Sequence, residues 1–278
     1  MLKNEKSNTK KLTDTFKVLT SNINKGGTGK TAFLYNFAYY LSEKGFKVLV
    51  IDTDDSKNLT NLYEDKFEDN FEEIKTENTV MALFNSDLEK VVEPLKLTEN
   101  IDLIAGDKKL ENFKKILVSK INREKILVSW LSDNYDELLE NYDYILIDSE
   151  NSQDDIVVNT LLASDLVIGV AESSDNSVYA INDLQQFISQ LDKAFNVDIQ
   201  YKIIGNKIDT REKSSKDLIS ALEEVEGIKE NYLGYIPKKT AFQSSNTIYE
   251  APRKSNNLDT IIHINKLFKS IKEILDKA

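Results

Sequence analysis

The sequence predicts an α/β fold, a mostly parallel twisted sheet covered by helices on both faces. Three observations carry that expectation. A β-branched run, "FKVLTSNI" (16–23), leads straight into the glycine-rich loop "NKGGTGKT" (24–31), and a helical pattern follows. Short, continuously apolar runs ending in an acid, "KVLVID" (47–52) and "YDYILID" (142–148), have the character of strands buried on both faces. Runs of this kind alternate with helical patterns along the chain, the arrangement that builds parallel sheets.

Taken in order, residues 1–15 read as a polar, flexible extension, and "MLKNEKSNTKKLTDT" lacks the apolar segment of a secretory signal. After the glycine loop, Phe33, Leu34, Phe37, Ala38 and Leu41 recur at the three- and four-residue spacing of a core-facing helix. Gly45 stands where a left-handed cap ends such a helix. Further strands are expected at 101–106, 165–170, 201–207 and 232–237, and helices at 121–140, 176–195, 211–225 and 256–277. Neither an internal repeat nor a linker interrupts the pattern, so 16–278 is read as a single domain. Ligands of open parallel sheets bind beyond the carboxyl ends of the strands. Chemistry is therefore expected in the loops after residues 23, 52, 148, 170, 206 and 236.

Composition narrows the class. At 40% hydrophobic and 30% charged residues, the 278-residue chain can bury a sizeable core. No apolar run approaches the roughly 18 residues that span a bilayer. The absence of cysteine excludes disulfides, thiolate zinc sites and cysteine-held iron–sulfur clusters. The expected compartment is the cytoplasm. A net charge of −11 disfavours a surface that binds nucleic acid all over, while leaving room for a local basic patch.

The loop itself departs from the common phosphate-binding pattern G-x-x-x-x-G-K-[ST], because Asn24 stands where the first glycine belongs. Gly26, Gly27 and Gly29 let backbone N–H groups approach phosphate oxygens, and the following helix presents its positive end. Lys30 is expected to reach the β- and γ-phosphates and the Thr31 hydroxyl to ligate Mg²⁺. Thr28 and Ala32 complete the cradle through their backbone. Lys25, at the mouth of the loop, is too exposed to serve the core.

The segment KGGTGKT resembles the deviant Walker A loop of the ParA/MinD family of ATPases. Within that family the chain is most similar to partition ATPases that lack an N-terminal helix-turn-helix domain. The resemblance implies a P-loop NTPase fold, ATP with Mg²⁺, and a homodimer bridged by nucleotide. It assigns Lys25 to the partner subunit's nucleotide, and Lys30 and Thr31 to the chain's own. "VLVIDTDDSKNLT" is similar to the family's IDxDPQxNxT segment, with Asp52 and Asp54 on its two acids. Asp54 then positions the attacking water. Asp55 and Ser56 replace the usual Pro-Gln. "YDYILIDSEN" resembles the Walker B segment, which makes Asp148 the second Mg²⁺ residue. Ser149-Glu150-Asn151 stands where the family has Thr-Pro-Pro, and Ala32 where it commonly has a second threonine. The likeness is weak between 61 and 120.

By the same resemblance, Asn206 contacts the adenine and Ile236-Pro237 packs along it. "GNKID" (205–209) also matches the guanine-reading Asn-Lys-x-Asp of GTPases, in which Asp209 reads the base, so a GTP-binding switch is an alternative. ParA-type proteins bind DNA non-specifically and are released by hydrolysis that a centromere-binding, ParB-like adaptor stimulates. Lys238, Lys239, Arg253 and Lys254 are the residues expected to contact DNA phosphates. This implies plasmid or chromosome partition and a cytoplasmic, nucleoid-associated protein. MinD-type relatives instead hold a membrane through a terminal amphipathic helix, the second alternative for "IIHINKLFKSIKEILDKA". That helix is expected to pack on the sheet, with Ile264, Leu267, Phe268, Ile271, Ile274 and Leu275 on its apolar face, rather than on a membrane. A third alternative, a regulator that hardly hydrolyses nucleotide, follows from the altered Ser149-Glu150-Asn151 segment.

Overall fold

The computed structural model describes residues 15–67, 74–85, 91–173, 176–239, 247 and 255–278. Arg253, Lys254 and residues 1–14 of the expected extension lie outside the described residues.

Among the described residues, eight strands form one sheet in the order β3-β4-β2-β5-β1-β6-β7-β8. The strands are β1 (Lys17–Asn22), β2 (Val48–Asp52), β3 (Leu95–Lys96), β4 (Ile101–Ile104), β5 (Tyr144–Asp148), β6 (Leu166–Glu172), β7 (Tyr201–Ile208) and β8 (Tyr232–Pro237). All pairings are parallel except that of β3 with β4. The two-residue β3 has no counterpart in the sequence reading; a strand so short has no periodicity to detect. Residues of β2 and β5 are buried throughout, which explains their unbroken apolar runs.

Alternation along the strands sends successive side chains to opposite faces. On one face Leu19, Val48, Val50, Leu103 and Leu146 meet α1 (Lys30–Ser42), α2 (Asn58–Glu64) and α10 (Ser255–Leu275). On the other, Val18, Leu49, Ile51, Ile145 and Ile147 meet α3 (Val80–Phe84), α4 (Lys109–Leu117), α5 (Ile126–Asp133), α6 (Tyr135–Asn141) and α7 (Asp155–Leu162). The same face continues under β6 and β7 with α8 (Ser177–Phe195) and α9 (Lys213–Glu224). Gly45 ends α1 at φ 83, the left-handed conformation its position predicts.

The helix expected over 121–140 is instead broken. Asn122 takes φ 55, a short 3₁₀ turn follows at Arg123–Lys125, and α5 and α6 are separated at Asn134. The Asn134 amide donates to the Trp130 carbonyl at 2.8 Å, and side-chain bonds of this kind compete with helical backbone pairing. From α7, Asn159 accepts the Leu127 N–H at 3.0 Å and so caps α5 from outside.

The terminal helix α10 lays its apolar face on the sheet. Ile264, Leu267, Phe268, Ile271 and Leu275 are buried, and Ile274 packs beside them. Phe268 meets the rings of Phe33, Phe37 and Tyr40 edge-on, at centroid distances of 5.9, 5.3 and 5.5 Å. His263 donates from Nε2 to the Tyr235 carbonyl at 2.8 Å, which ties α10 to β8. None of the described helices is long and apolar enough to cross a membrane. Truncating Phe268 to alanine should lower the unfolding free energy by about 3–5 kcal/mol, measured by denaturant titration. A change under about 1 kcal/mol would show that α10 is not seated on this core.

Candidate nucleotide site

Between β1 and α1 the chain turns through Gly27 at φ 75 and Gly29 at φ 93, and α1 begins at Lys30. The first N–H groups of a helix have no intrahelical acceptor, so this end presents donors to the cleft in front of the sheet. The loop's carbonyls are tied from behind by β7. Asn206 donates its amide to the Thr28 carbonyl at 2.7 Å, and Lys207 donates to the Gly27 carbonyl. Lys207 also pairs with Glu172 at 3.1 Å. Two successive residues can face one loop only because β7 is irregular here, with a register shift between Gly205 and Ile208 and φ 55 at Lys207.

Strand register assembles the charged floor. Ser21 of β1 and Asp52 of β2 both align with Asp148 of β5. The Thr31 hydroxyl donates to Asp148 Oδ2 at 2.7 Å. Burial first, and then the neighbouring Asp52 carboxylate, push Asp148 up to about 8, against the Thr31 hydrogen bond and the Lys30 charge. Lys30 is itself buried, and burial pushes its ammonium below the ordinary lysine value despite Asp148 and Asp54 nearby. Its Nζ donates to Asn151 Oδ1 and, at 3.4 Å, to the Ile23 carbonyl. A threonine hydroxyl beside a buried carboxylate short of positive charge is a hard-oxygen pair that fits Mg²⁺.

The two acids after β2 divide in role. Asp52 is fully buried and accepts from the Thr60 N–H at 2.8 Å and hydroxyl at 2.7 Å. The Thr60 oxygen in turn accepts from the Gly106 N–H at 2.7 Å, so Asp52 anchors backbone. Asp54 accepts from the Ser56 N–H at 2.8 Å and lines the cleft. That cleft, about 1120 Å³ and open to solvent, is bounded by Gly27 through Ala32, Asp54, Asn151 and Lys207. It joins a smaller apolar pocket at Ala32, Asn36 and Lys207.

The apolar pocket gathers Asn206, Ile236 and Pro237, the residues expected around the base, against Phe33 and Phe268. Lys238 and Lys239 also line it, and Lys238 pairs with Glu212 at 3.0 Å. Lys25, half-buried, stands at the mouth of the glycine loop beside exposed Asn24 and Gly26. Asp209 lies outside this pocket; Arg211 holds its carboxylate at 2.9 and 2.6 Å and keeps it well below the usual carboxylate range.

The sequence reading passed over Lys207, whose contact depends on the β7 irregularity, and gave Asn151 no contact with Lys30. Lys207 lies inside the Asn-Lys-x-Asp match and Asn151 in the segment after Asp148, but pattern alone pairs neither with the glycine loop; only the folded backbone brings them there.

Gly29 admits no side chain. A Cβ there would come within 2.2 Å of Asn206 Nδ2, in a conformation that L-residues rarely adopt. Gly29→Ala should therefore weaken binding of a fluorescent ATP analogue by about tenfold or more, while Gly45→Ala, where φ is also positive but no atom lies within 4 Å, should leave it unchanged.

Comparison with known proteins agrees with this geometry. The family model described as an AAA domain matches residues 16–201. An uncharacterized protein of Methanocaldococcus jannaschii is 30% identical over 224 residues, which cover 77% of this chain and 82% of that one. The probable plasmid-partitioning protein ParA of Thermus thermophilus is 27% identical over 203 residues, 70% of this chain and 59% of that one. Cyanothece McdA, solved as a variant bound to ATP, superposes with a TM-score of 0.77 at 24% identity, covering 94% of this chain and 96% of McdA. The chain accordingly belongs to the AAA-domain family, as a P-loop ATPase of the ParA/MinD type.

Proposed function

We propose that the protein is a Mg²⁺-dependent, ParA-like ATPase for plasmid or chromosome partition, which binds DNA as an ATP-bridged dimer. The observation that carries this reading is the Thr31–Asp148 contact at 2.7 Å, set directly beneath a glycine loop whose mouth carries Lys25. Backbone donors from Gly26 to Ala32 cradle the phosphates, and Lys30 exchanges Asn151 for a phosphate oxygen. Thr31 and Asp148 would hold Mg²⁺, which when bound neutralises charge on the phosphates. Asp54, in the lining of the cleft, orients water for in-line attack on the γ-phosphate. Asn206, Ile236 and Pro237 receive the base. Adenine is favoured over guanine because Asp209 is engaged by Arg211 and lies outside the apolar pocket.

In this reading Lys25 crosses to the partner subunit's nucleotide, so dimerisation requires ATP. Lys238 and Lys239, with Arg253 and Lys254, contact DNA phosphates without reading bases. The first two also border the base pocket, which would couple nucleotide state to DNA contact. A ParB-like adaptor stimulates hydrolysis and so releases the DNA. The protein then acts in the cytoplasm, associated with the nucleoid.

DNA retardation tests the reading. Migration should slow with ATP but not with ADP or without nucleotide, and the shift should weaken steeply as salt is raised. Loss of any ATP dependence would remove the partition reading. Asp54→Ala should keep the ATP-dependent shift while turnover falls about 100-fold or more. Lys25→Ala should bind ATP but remain monomeric in sedimentation; a nucleotide-bound dimer of this variant would exclude the role across the interface.

A further inference from the structure

The loop after β5 lacks the two prolines that the resembling family carries at this point, and with them the rigidity of a fixed φ. A lysine from another element supplies the constraint. Lys114, on α4, reaches Asp55 at 2.9 Å, Asp154 at 3.4 Å and, closer still, Glu150. Its side chain is only 18% exposed. Each carboxylate belongs to a different piece of the site. Asp55 follows Asp54 in the turn after β2. Glu150 precedes Asn151, the residue on Lys30. Asp154 caps α7 by accepting the Ile156 and Val157 N–H groups at 3.0 Å each. Ser152 donates to Glu150 at 2.6 Å and closes the network.

We propose that Lys114 is a positioning residue for hydrolysis: its ammonium clamps the Asp54–Asp55 turn to the Glu150–Asn151 loop and so sets both over the glycine loop. The clamp rests on the nucleotide reading above for its effect on rate, but not for its existence.

Charge balance makes the constraint strong. One ammonium faces three carboxylates, and carboxylate oxygens of Asp54, Asp55 and Glu150 all lie within 4.8 Å of one another. Without Lys114 these acids repel, and the two loops move apart. Burial alone would lower the Lys114 proton affinity; hydrogen bonds to Glu150 and Asp55 outweigh it and hold the ammonium above the ordinary lysine value. The fold does not depend on this charge, because α4 is anchored by Leu110, Phe113 and Leu117, all buried.

Lys114→Met and Lys114→Arg in the full chain test the clamp, with two measurements. In the nucleotide-free protein, Lys114→Met should raise amide hydrogen exchange about tenfold in segments 53–57 and 149–154 together, with the strands unchanged. For ATP turnover it should lower kcat about tenfold and change KM less than about twofold, and Lys114→Arg, whose fork can bridge two carboxylates, should restore most of the rate. Unchanged exchange in either segment overturns the proposal, as does a uniform rise across the sheet. A kcat within about twofold of wild type in Lys114→Met does the same. Should Lys30→Ala turn ATP over as fast as wild type, the nucleotide reading of the site fails, and the exchange result alone decides the clamp.

Discussion

Everything at the site depends on the parallel register of β1, β5 and β2. Ser21 and Asp52 both stand level with Asp148, so one carboxylate lies at the meeting point of three strand ends. The strand carrying the glycine loop is flanked by β5 and β6, and the loop therefore opens over that carboxylate. Shifting β2 or β5 by one residue would take its acid out of line with its neighbours, and shifting β5 or β1 would part Asp148 from Thr31.

This arrangement concentrates electrostatic cost. Asp52 and Asp148 are both fully buried, and Lys30 is nearly so. Burial raises the proton affinity of both carboxylates, with Asp52 adding to the rise at Asp148 and Asp54 to that at Asp52, and burial weakens the lysine's hold on its own proton. Asp52 is offset by three hydrogen bonds, from Thr60 and the Asp54 N–H, and has become structural. Asp148 has fewer such partners, which leaves it receptive to a cation. Lys30 is held by a carbonyl and an amide, both neutral, which leaves it receptive to an anion. The unbalanced charge is thus divided into one cation-seeking and one anion-seeking group, a pairing suited to a metal–phosphate ligand.

Mechanical support comes from both flanks of the cleft. On one, Asn206 and Lys207 fasten the glycine loop to the end of β7. On the other, Lys114 gathers the loops after β2 and β5. Behind the apolar pocket, Phe268 and Ile264 of α10 close the wall that Ile236 and Pro237 begin. The terminal helix therefore shapes the apolar pocket as well as covering the sheet. Its burial against Phe33 and Phe37 links stability at the far end of the chain to the first helix of the site.

The alternating strands and helices, the glycine loop and its lysines, the two acids after β2 and the acid ending β5 were all legible in the sequence. These features are local: a buried strand requires continuous apolar residues, and a tight loop requires glycine. The gathering of Asn206, Ile236 and Pro237 was expected only through the family resemblance, because it joins the ends of two separate strands. The break at Asn134, the two-residue β3 and helices α4 and α7 were not legible, because short elements carry little periodicity and depend on outside partners such as Asn159. The contacts of Lys207, Asn151 and Lys114 were equally hidden. Each joins residues 36 or more positions apart, or needs a backbone irregularity that composition does not announce. Sequence by itself determined which groups could bind a phosphate, because residue type and loop spacing set that chemistry. Only the tertiary structure decided which charge faces which, because strand register and helix packing bring distant side chains within a few ångströms, where electrostatic energies become large.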